Sequence, residues 1–366
     1  MNKTPLYENH VEHGARMTDF SGFQMPVQFS KIQDEHMAVR QKAGIFDVSH
    51  MGEFIVEGKG ALILLENLTT NKVSDISIGQ AQYTLMTNPH GGIIDDLIIY
   101  RLGEDKYMLV VNAGNIKKDW NWIIENKSYD SQALNISAET GLIALQGPRS
   151  IEILQKLTKI AIQDIPFYHF QKGEVSGVKD VLISATGYTG SGGFELYVDV
   201  GHLVKLWDDI CDAGEGLGLM RAGLGARDTL RLEMGYSLYG QDIDEQTTPL
   251  EAGLGWITKL EKEAFIGRQA LVKQKSKGVV DRLKGFELND RRVPRTGYTI
   301  HNSDERMIGK VRSGTFSPCL QRPIGMGYIK SGLLKGDKKL LISNGKKYFE
   351  GNIVKPPFVN VKNYVS

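Results

Sequence analysis

The sequence predicts an α+β protein of two or three domains that ends in a small all-β unit. Three observations carry that expectation. At 366 residues the chain is longer than one ordinary hydrophobic core serves. Up to about residue 270 helix-period and strand-period segments alternate across short turns rich in Asn, Pro, Gly and Asp, which favours antiparallel neighbours and helix-covered sheets. Beyond residue 284 only short strands separated by Gly, Pro and Asn remain.

Taken in order, ALILLENL (61–68) reads as a helix, and QYTLMT (82–87), GIIDDLIIY (92–100) and KYMLVV (106–111) read as strands. A helix is expected over 115–125. From Gly141, LIALQGPRSIEILQKL reads as strand, turn and helix, with Pro148 near the first helical turn. The segment VLISATGYTGSGGFELYVDV follows as a hairpin, and a helix then carries Leu203, Val204, Trp207, Ile210 and Cys211 on its apolar stripe. GLGARDTLRLEMGYSLYG (223–240) is expected to be helical from about Leu224 to Glu233, where Ala222, Ala226, Leu230 and Met234 fall at four-residue steps. The Lys-rich LVKQKSKGVVDRLK (271–284) is the natural boundary before the all-β unit. Neither an internal repeat nor a low-complexity tract is visible.

Composition narrows the function. With 41% hydrophobic and 24% charged residues the chain has the make-up of a globular protein, and a net charge of +1 gives no general drive toward nucleic acid. Two distant cysteines form no disulfide framework and suit a reducing compartment. No apolar run is long enough to cross a bilayer, and the first residues carry neither a signal-peptide core nor transit-peptide character, so the cytoplasm is the expected location.

Several constellations can carry chemistry. Asp95 and Asp96 follow a Gly-Gly turn inside an apolar strand, where neighbours point to opposite faces. One of them then faces the interior or a cleft and either finds a partner or rises in pKa; the alternative is an Asp that caps the hairpin turn. The Gly-rich hairpin 187–193 allows close backbone approach to a flat ligand, and Glu195 beyond it shares a strand face with Tyr197 and lies near Tyr188. Such a Glu can accept two N–H donors from a heterocycle, or it can be an exposed strand-face residue. Arg227 and Arg231 stand one helical turn apart beside Asp228, a repelling pair unless something anionic or electron-rich lies between them, or else a solvated charged face. GLGARD lacks the third glycine of a dinucleotide loop. His10 and His13 make an H-x-x-H spacing with nothing to complete a metal site, and a solvated or capping role is expected; no metal is expected anywhere.

Together with DFSGFQMPVQF (19–29), GIFDVSHMGE (44–53), LQGPRS (145–150), FIGRQAL (265–271), GTFSPCL and IGMGY, these motifs resemble, in order and over nearly the whole chain, the T protein of the glycine cleavage system. That family is a tetrahydrofolate-dependent aminomethyltransferase. The resemblance implies a three-domain cloverleaf of antiparallel sheets with helices around a central folate channel. Residues 1–52 with 138–270 would form the folate-binding domain, 53–137 an inserted α+β domain contributing Asp96, and 280–366 a C-terminal β-barrel. It also implies transfer of the one-carbon unit from the aminomethyl-lipoyl arm of H protein to tetrahydrofolate, with release of ammonia. Asp96 matches the family's catalytic carboxylate and Glu195 with Arg227 the pterin-holding pair, while Met51, Tyr83, Tyr100, Tyr168, Tyr188 and Tyr236 match positions lining the folate. Ser191 and Arg221 depart from the family's common Glu and Pro. The alternative is a folate-binding protein of the same fold that acts in RNA modification, iron–sulfur maintenance or regulation without aminomethyl transfer. Such proteins typically carry a KGCYxGQE motif, whereas residues 255–271 here contain no Cys. A demethylating oxidase would need a flavin fingerprint and a further domain, and the chain has neither.

Overall fold

The structure is a computed structural model that describes residues 1–127, 130–333 and 338–364, so parts of the expected domains 53–137 and 280–366 lie outside the described residues. Three large sheet systems organise it, beside a small three-stranded sheet of Asn2–Lys3, Phe23–Gln28 and Arg16–Phe20. A six-stranded sheet runs Phe170–Val175, Val178–Ser184, Gly193–Asp199, Thr140–Gln146, Ala43–Asp47 and Leu219–Arg221; only its last pairing is parallel. A five-stranded antiparallel sheet runs Ala81–Thr87, Ile93–Gly103, Lys106–Val111, Gly52–Glu57 and Gln132–Asn135. Six strands between Asp281 and Val354 close into a barrel. Closure removes the exposed strand edges that such short strands would otherwise present. The expected α+β class with a C-terminal barrel is therefore what the chain adopts.

Strand alternation gives the six-stranded sheet two different faces. Ile143, Leu145, Phe194 and Leu196 turn toward the helix Leu203–Gly214, whose Leu203, Leu206, Trp207 and Ile210 complete one core. Leu142, Ala144 and Tyr197 turn the other way, onto Tyr100, Met108 and Val110 of the five-stranded sheet and onto Ala222, Ala226 and Leu230. The second face is thus an interface between sheets, and the hydroxyls of Tyr100 and Tyr197 meet across it at 2.9 Å.

The segment Leu224–Glu233 is helical within the expected bounds. Its glycines serve close approach: a Cβ at Gly223 would lie 2.5 Å from the Val27 backbone, and one at Gly225 would meet the Ile32 side chain at the same distance. The helix can therefore sit directly on the strand Phe23–Gln28. Glu35 secures this contact by accepting from the backbone N–H groups of Phe29, Ser30 and Gly223.

The Lys-rich stretch 271–284 does hold the junction to the barrel: its first part is the end of a helix, Arg268–Lys277, because its Gln, Ala, Leu and Lys are good helix formers and Leu271 gives it a buried anchor, and 278–280 separate that helix from the first barrel strand. Two expectations need correction. Val204 is 41% exposed and off the buried stripe, whose members are Leu203, Leu206, Trp207 and Ile210. His10 is fully buried, with Nε2 2.9 Å from Asp47 Oδ2 and its ring edge-on to Trp207. Burial alone would push Asp47 up, but its bonds with His10 and Thr4 hold the carboxyl below its usual range. His13 is the exposed one and bonds the Asn9 carbonyl.

Candidate active site

Asp96 lies near the turn end of the strand Ile93–Gly103. Its Oδ2 accepts from the Tyr83 hydroxyl at 2.9 Å and its Oδ1 from Asn112 Nδ2 at 2.9 Å. Burial first, and then the charge of the neighbouring Asp95, raise its pKa to about 7. Asp96 nevertheless keeps accessible surface, whereas Asp95 on the opposite side of the strand is fully buried. Two donors hold Asp96 in place, and no cation among the described residues pairs with it.

Glu195 is 8% exposed on its strand and accepts from Thr186 Oγ1 at 2.5 Å. Burial raises its pKa, opposed by the Thr186 bond and by the charge of Arg227. Arg227 reaches the same region from the helix Leu224–Glu233, with its guanidinium 4.6 Å from the Tyr188 ring centroid. Among the described residues it has no hydrogen-bonded or ion-paired partner, and burial lowers its pKa. The nearby His50 is buried, and burial together with the Arg227 charge pushes it down to about 4, so it remains neutral and offers Arg227 no counter-charge. A donor fork left unpaired yet partly accessible is a site for an acceptor.

The aromatic residues are gathered around these groups. Tyr188 stacks on Tyr236 with centroids 5.8 Å apart and donates to the Ser237 carbonyl. Burial raises the phenol pKa of Tyr83, Tyr168 and Tyr188, and the Asp96 charge adds to the rise in all three, so all three lie within its field. Glu195 adds to the rise at Tyr168 and Tyr100. Tyr168 carries this position on a backbone with φ 61°, an uncommon conformation for a bulky residue. Met51, Tyr83, Tyr168, Tyr188 and Arg227 are half-buried and Tyr236 is exposed, so all present surface. Tyr100 differs. It is wholly buried, and its hydroxyl contacts Thr186 Oγ1 at 3.2 Å, one bond behind Glu195.

Asp228 and Arg231 are neighbours of Arg227 on the same helix, and neither bonds it. Arg231 binds Asp228 and Asp242, donates to the Tyr236 carbonyl and reaches Ser313 Oγ in the barrel at 3.0 Å. This buried cation joins the helix to the barrel because Asp242 offers it a full counter-charge at 2.6 Å. A second junction was not visible in the sequence: Glu233 accepts from Arg40, Ser317 Oγ and the Cys319 N–H and lies 3.1 Å from His36 Nε2. Ser191, one of the two departures from the family pattern, accepts from this Arg40, whereas Arg221 stands half-buried on the strand Leu219–Arg221. His36, Glu233 and Cys319 bring one nitrogen, oxygen and sulfur within 4.8 Å of one another, a geometry that suggests a metal. The chemistry does not fit. A cation there would sit beside Arg40, and burial with the Glu233 charge pushes the Cys319 thiol up to about 12.

Asn112, Asn115, Thr186 and Asp119 also shape the site and were missed. A signal existed for three of them: Asn112, Asn115 and Asp119 lie three and four residues apart, so they share one side of a segment entering a helix.

This arrangement brings a carboxylate acceptor, an unpaired guanidinium and a carboxyl group with its pKa raised to about 7 among the same tyrosines, the make-up of an enzyme site for a polar ligand. Residues 6–262 match the GCVT N-terminal domain family and residues 282–360 the glycine cleavage T-protein C-terminal barrel domain. An aminomethyltransferase from Halothermothrix orenii is 49% identical over 98% of this chain and 100% of its own length, and one from Bacteroides fragilis is 48% identical over 98% and 99%. The crystal structure of the glycine cleavage system aminomethyltransferase T from Bartonella henselae superposes with a TM-score of 0.90 at 32% identity, covering 98% of each chain. The chain belongs to the glycine cleavage T-protein family and is an aminomethyltransferase. No helix among the described residues is long and apolar enough to cross a membrane.

Proposed function

We propose that this enzyme takes the aminomethyl group from the lipoyl arm of an H protein and gives its carbon to tetrahydrofolate. The products are ammonia, 5,10-methylenetetrahydrofolate and the reduced lipoyl arm, and the reaction runs in the cytoplasm. The carbon–sulfur and carbon–nitrogen bonds break, two bonds from that carbon to folate nitrogens form, and the two folate N–H protons end on sulfur and on the departing amine. The observation that supports this reading is a carboxyl group with pKa raised to about 7, Asp96, surrounded by the same aromatic residues as Glu195 and Arg227.

In this reading Asp96 stabilises the cationic iminium character of the transition state and relays protons between the folate nitrogen and the amine. Glu195 accepts from the pterin ring N–H and exocyclic amine, with Thr186 fixing its carboxylate, and Arg227 donates to the pterin carbonyl. Met51, Tyr83, Tyr168, Tyr188 and Tyr236 line the folate, and Tyr100 supports Glu195 through Thr186. The division into 1–52 with 138–270, 53–137 and 280–366 belongs to the same proposal. No metal enters the reaction. Ammonia and methylenetetrahydrofolate should form at full rate only when aminomethylated H protein and tetrahydrofolate are both supplied. Full turnover without either one, or tight folate binding with no turnover on both, overturns it, the latter in favour of a folate-binding protein without transfer.

A further inference from the structure

Behind Asp96 lie two more carboxyl groups that the reaction does not touch. Asp95 is fully buried and accepts from the Asn112 backbone N–H at 3.0 Å, from Asn112 Nδ2 at 2.9 Å and from Asn115 Nδ2 at 2.6 Å. The Asn112 side-chain amide bridges it to Asp96, because the same nitrogen lies 2.9 Å from Asp96 Oδ1. Asp119, on the helix Ile116–Asn126, is also fully buried, and among the described residues neither of its oxygens has an N–H or hydroxyl donor within reach. Its hydrogen-bond partner is Asp95. Two buried carboxyl groups in contact cannot both be charged at reasonable cost, and the N–H donors decide between them: they converge on Asp95, and Asp119 has none.

We propose that Asp119 permanently holds a proton and donates it to Asp95, so that Asp95 keeps one fixed negative charge directly behind the Asp96 carboxyl. This pair positions charge and is not catalytic. Its effect is to hold Asp96 in the range where it can act as both acid and base, and the inference rests on the proposed role of Asp96 for its importance though not for its test. Burial and the Asp95 charge push Asp119 up to about 11, in keeping with a neutral acid. The remaining groups around the three carboxyls leave this arrangement intact. Tyr83, Tyr168 and Tyr188 face Asp96 as neutral phenols. Tyr239 faces the Asp95 and Asp119 pair, also as a phenol, with Asp244 and Glu245 beyond it. Lys118, the nearest cation, spends its ammonium on the Ile94 carbonyl, the Tyr239 hydroxyl and Glu245.

The test follows the Asp96 carboxyl itself by carbon-13 NMR in the full chain labelled at Asp side-chain carbons, with its resonance assigned by loss in Asp96→Asn. Asp119→Asn keeps a neutral donor to Asp95 and should leave the midpoint within about 0.3 unit. The Asp95→Asn/Asp119→Asn double variant removes the fixed charge and should lower the midpoint by about one unit or more, with the acid limb of the turnover profile following it. An unchanged midpoint in the double variant overturns the proposal, as does an equal fall in Asp119→Asn alone, which would put the charge on Asp119. If the double variant does not fold, infrared spectroscopy of the parent still decides. A protonated-carboxyl band should persist at about pH 8 and lose intensity in Asp119→Asn, leaving what the buried Glu53 contributes, and a band that Asp119→Asn leaves unchanged refutes the idea. Wild-type turnover in Asp96→Asn would break the catalytic reading alone and leave the NMR comparison standing.

Discussion

Arg227 and Arg231 stand one turn apart on the same helix and meet opposite surroundings. Arg231 is buried to 1% and bonded to Asp228, Asp242, the Tyr236 carbonyl and Ser313. Arg227 has an aromatic ring beneath it, a neutral histidine nearby, and no side-chain hydrogen-bond acceptor among the described residues. The same contrast separates the carboxylates. Burial would raise Glu233, but His36, Arg40 and Ser317 hold it at about 2, whereas Asp96 has no cation partner and rises to about 7. Buried charge that is fully paired holds the barrel to the rest of the molecule, and buried charge left unpaired is available for a ligand. Residue types are alike in the two sets, but Arg231 and Glu233 are wholly buried among partners whereas Arg227 and Asp96 keep some surface, and the neighbouring donors and acceptors make the rest of the difference.

The sharpest way to break this comparison is to remove Asp96. Asp96→Asn should lower ammonia release about 10²- to 10⁴-fold, with folate binding retained, and an unchanged rate would end its catalytic role. Its stability should move the other way. The folded-state pKa is raised, so between the unfolded value and about 7 the folded protein binds the proton more tightly; stability falls as pH rises through that window. Asp96→Asn should therefore be more stable than the parent above pH 7 in urea unfolding, and equal to it in acid.

On the paired side, Glu233→Ala leaves Arg40 buried and uncompensated and should cost about 3–5 kcal/mol in the same unfolding experiment. If Arg227→Ala cost as much stability, the two arginines would not differ as argued. Arg227→Ala and Glu195→Ala should instead weaken tetrahydrofolate binding by about 1.5–3 kcal/mol in calorimetry, with unfolding midpoints close to the parent. The smallest effect belongs to Tyr83→Phe. Removing a donor from the charged form of Asp96 should move the acid limb of turnover up from about 7 by some tenths of a unit; a downward shift would show that the hydroxyl does not stabilise the carboxylate.

Much of the architecture was legible because periodicity is local. The strand carrying Asp95 and Asp96, the alternation of Phe194 and Leu196 against Glu195 and Tyr197, and the helix 224–233 all follow from side-chain direction along a single element. Where a local rule met a tertiary demand it failed. His10 looked solvated until Asp47 and Trp207 enclosed it, and Arg227 and Arg231 could share one solvated face until Asp242 and Ser313 drew Arg231 toward the barrel.

The order of motifs along the chain was enough to single out Asp96, Glu195 and Arg227 as the residues of interest and to name the family that carries them. Which buried charges are neutralised and which are left free came from the folded chain, because the partners come from residues far apart in sequence: the Arg40–Glu233 ion pair and the hydrogen bond from Arg231 to Ser313 join segments that share no pattern. A side chain's chemistry is written at its own position. Its protonation state and its availability depend on what the other elements bring within about 3 Å of it.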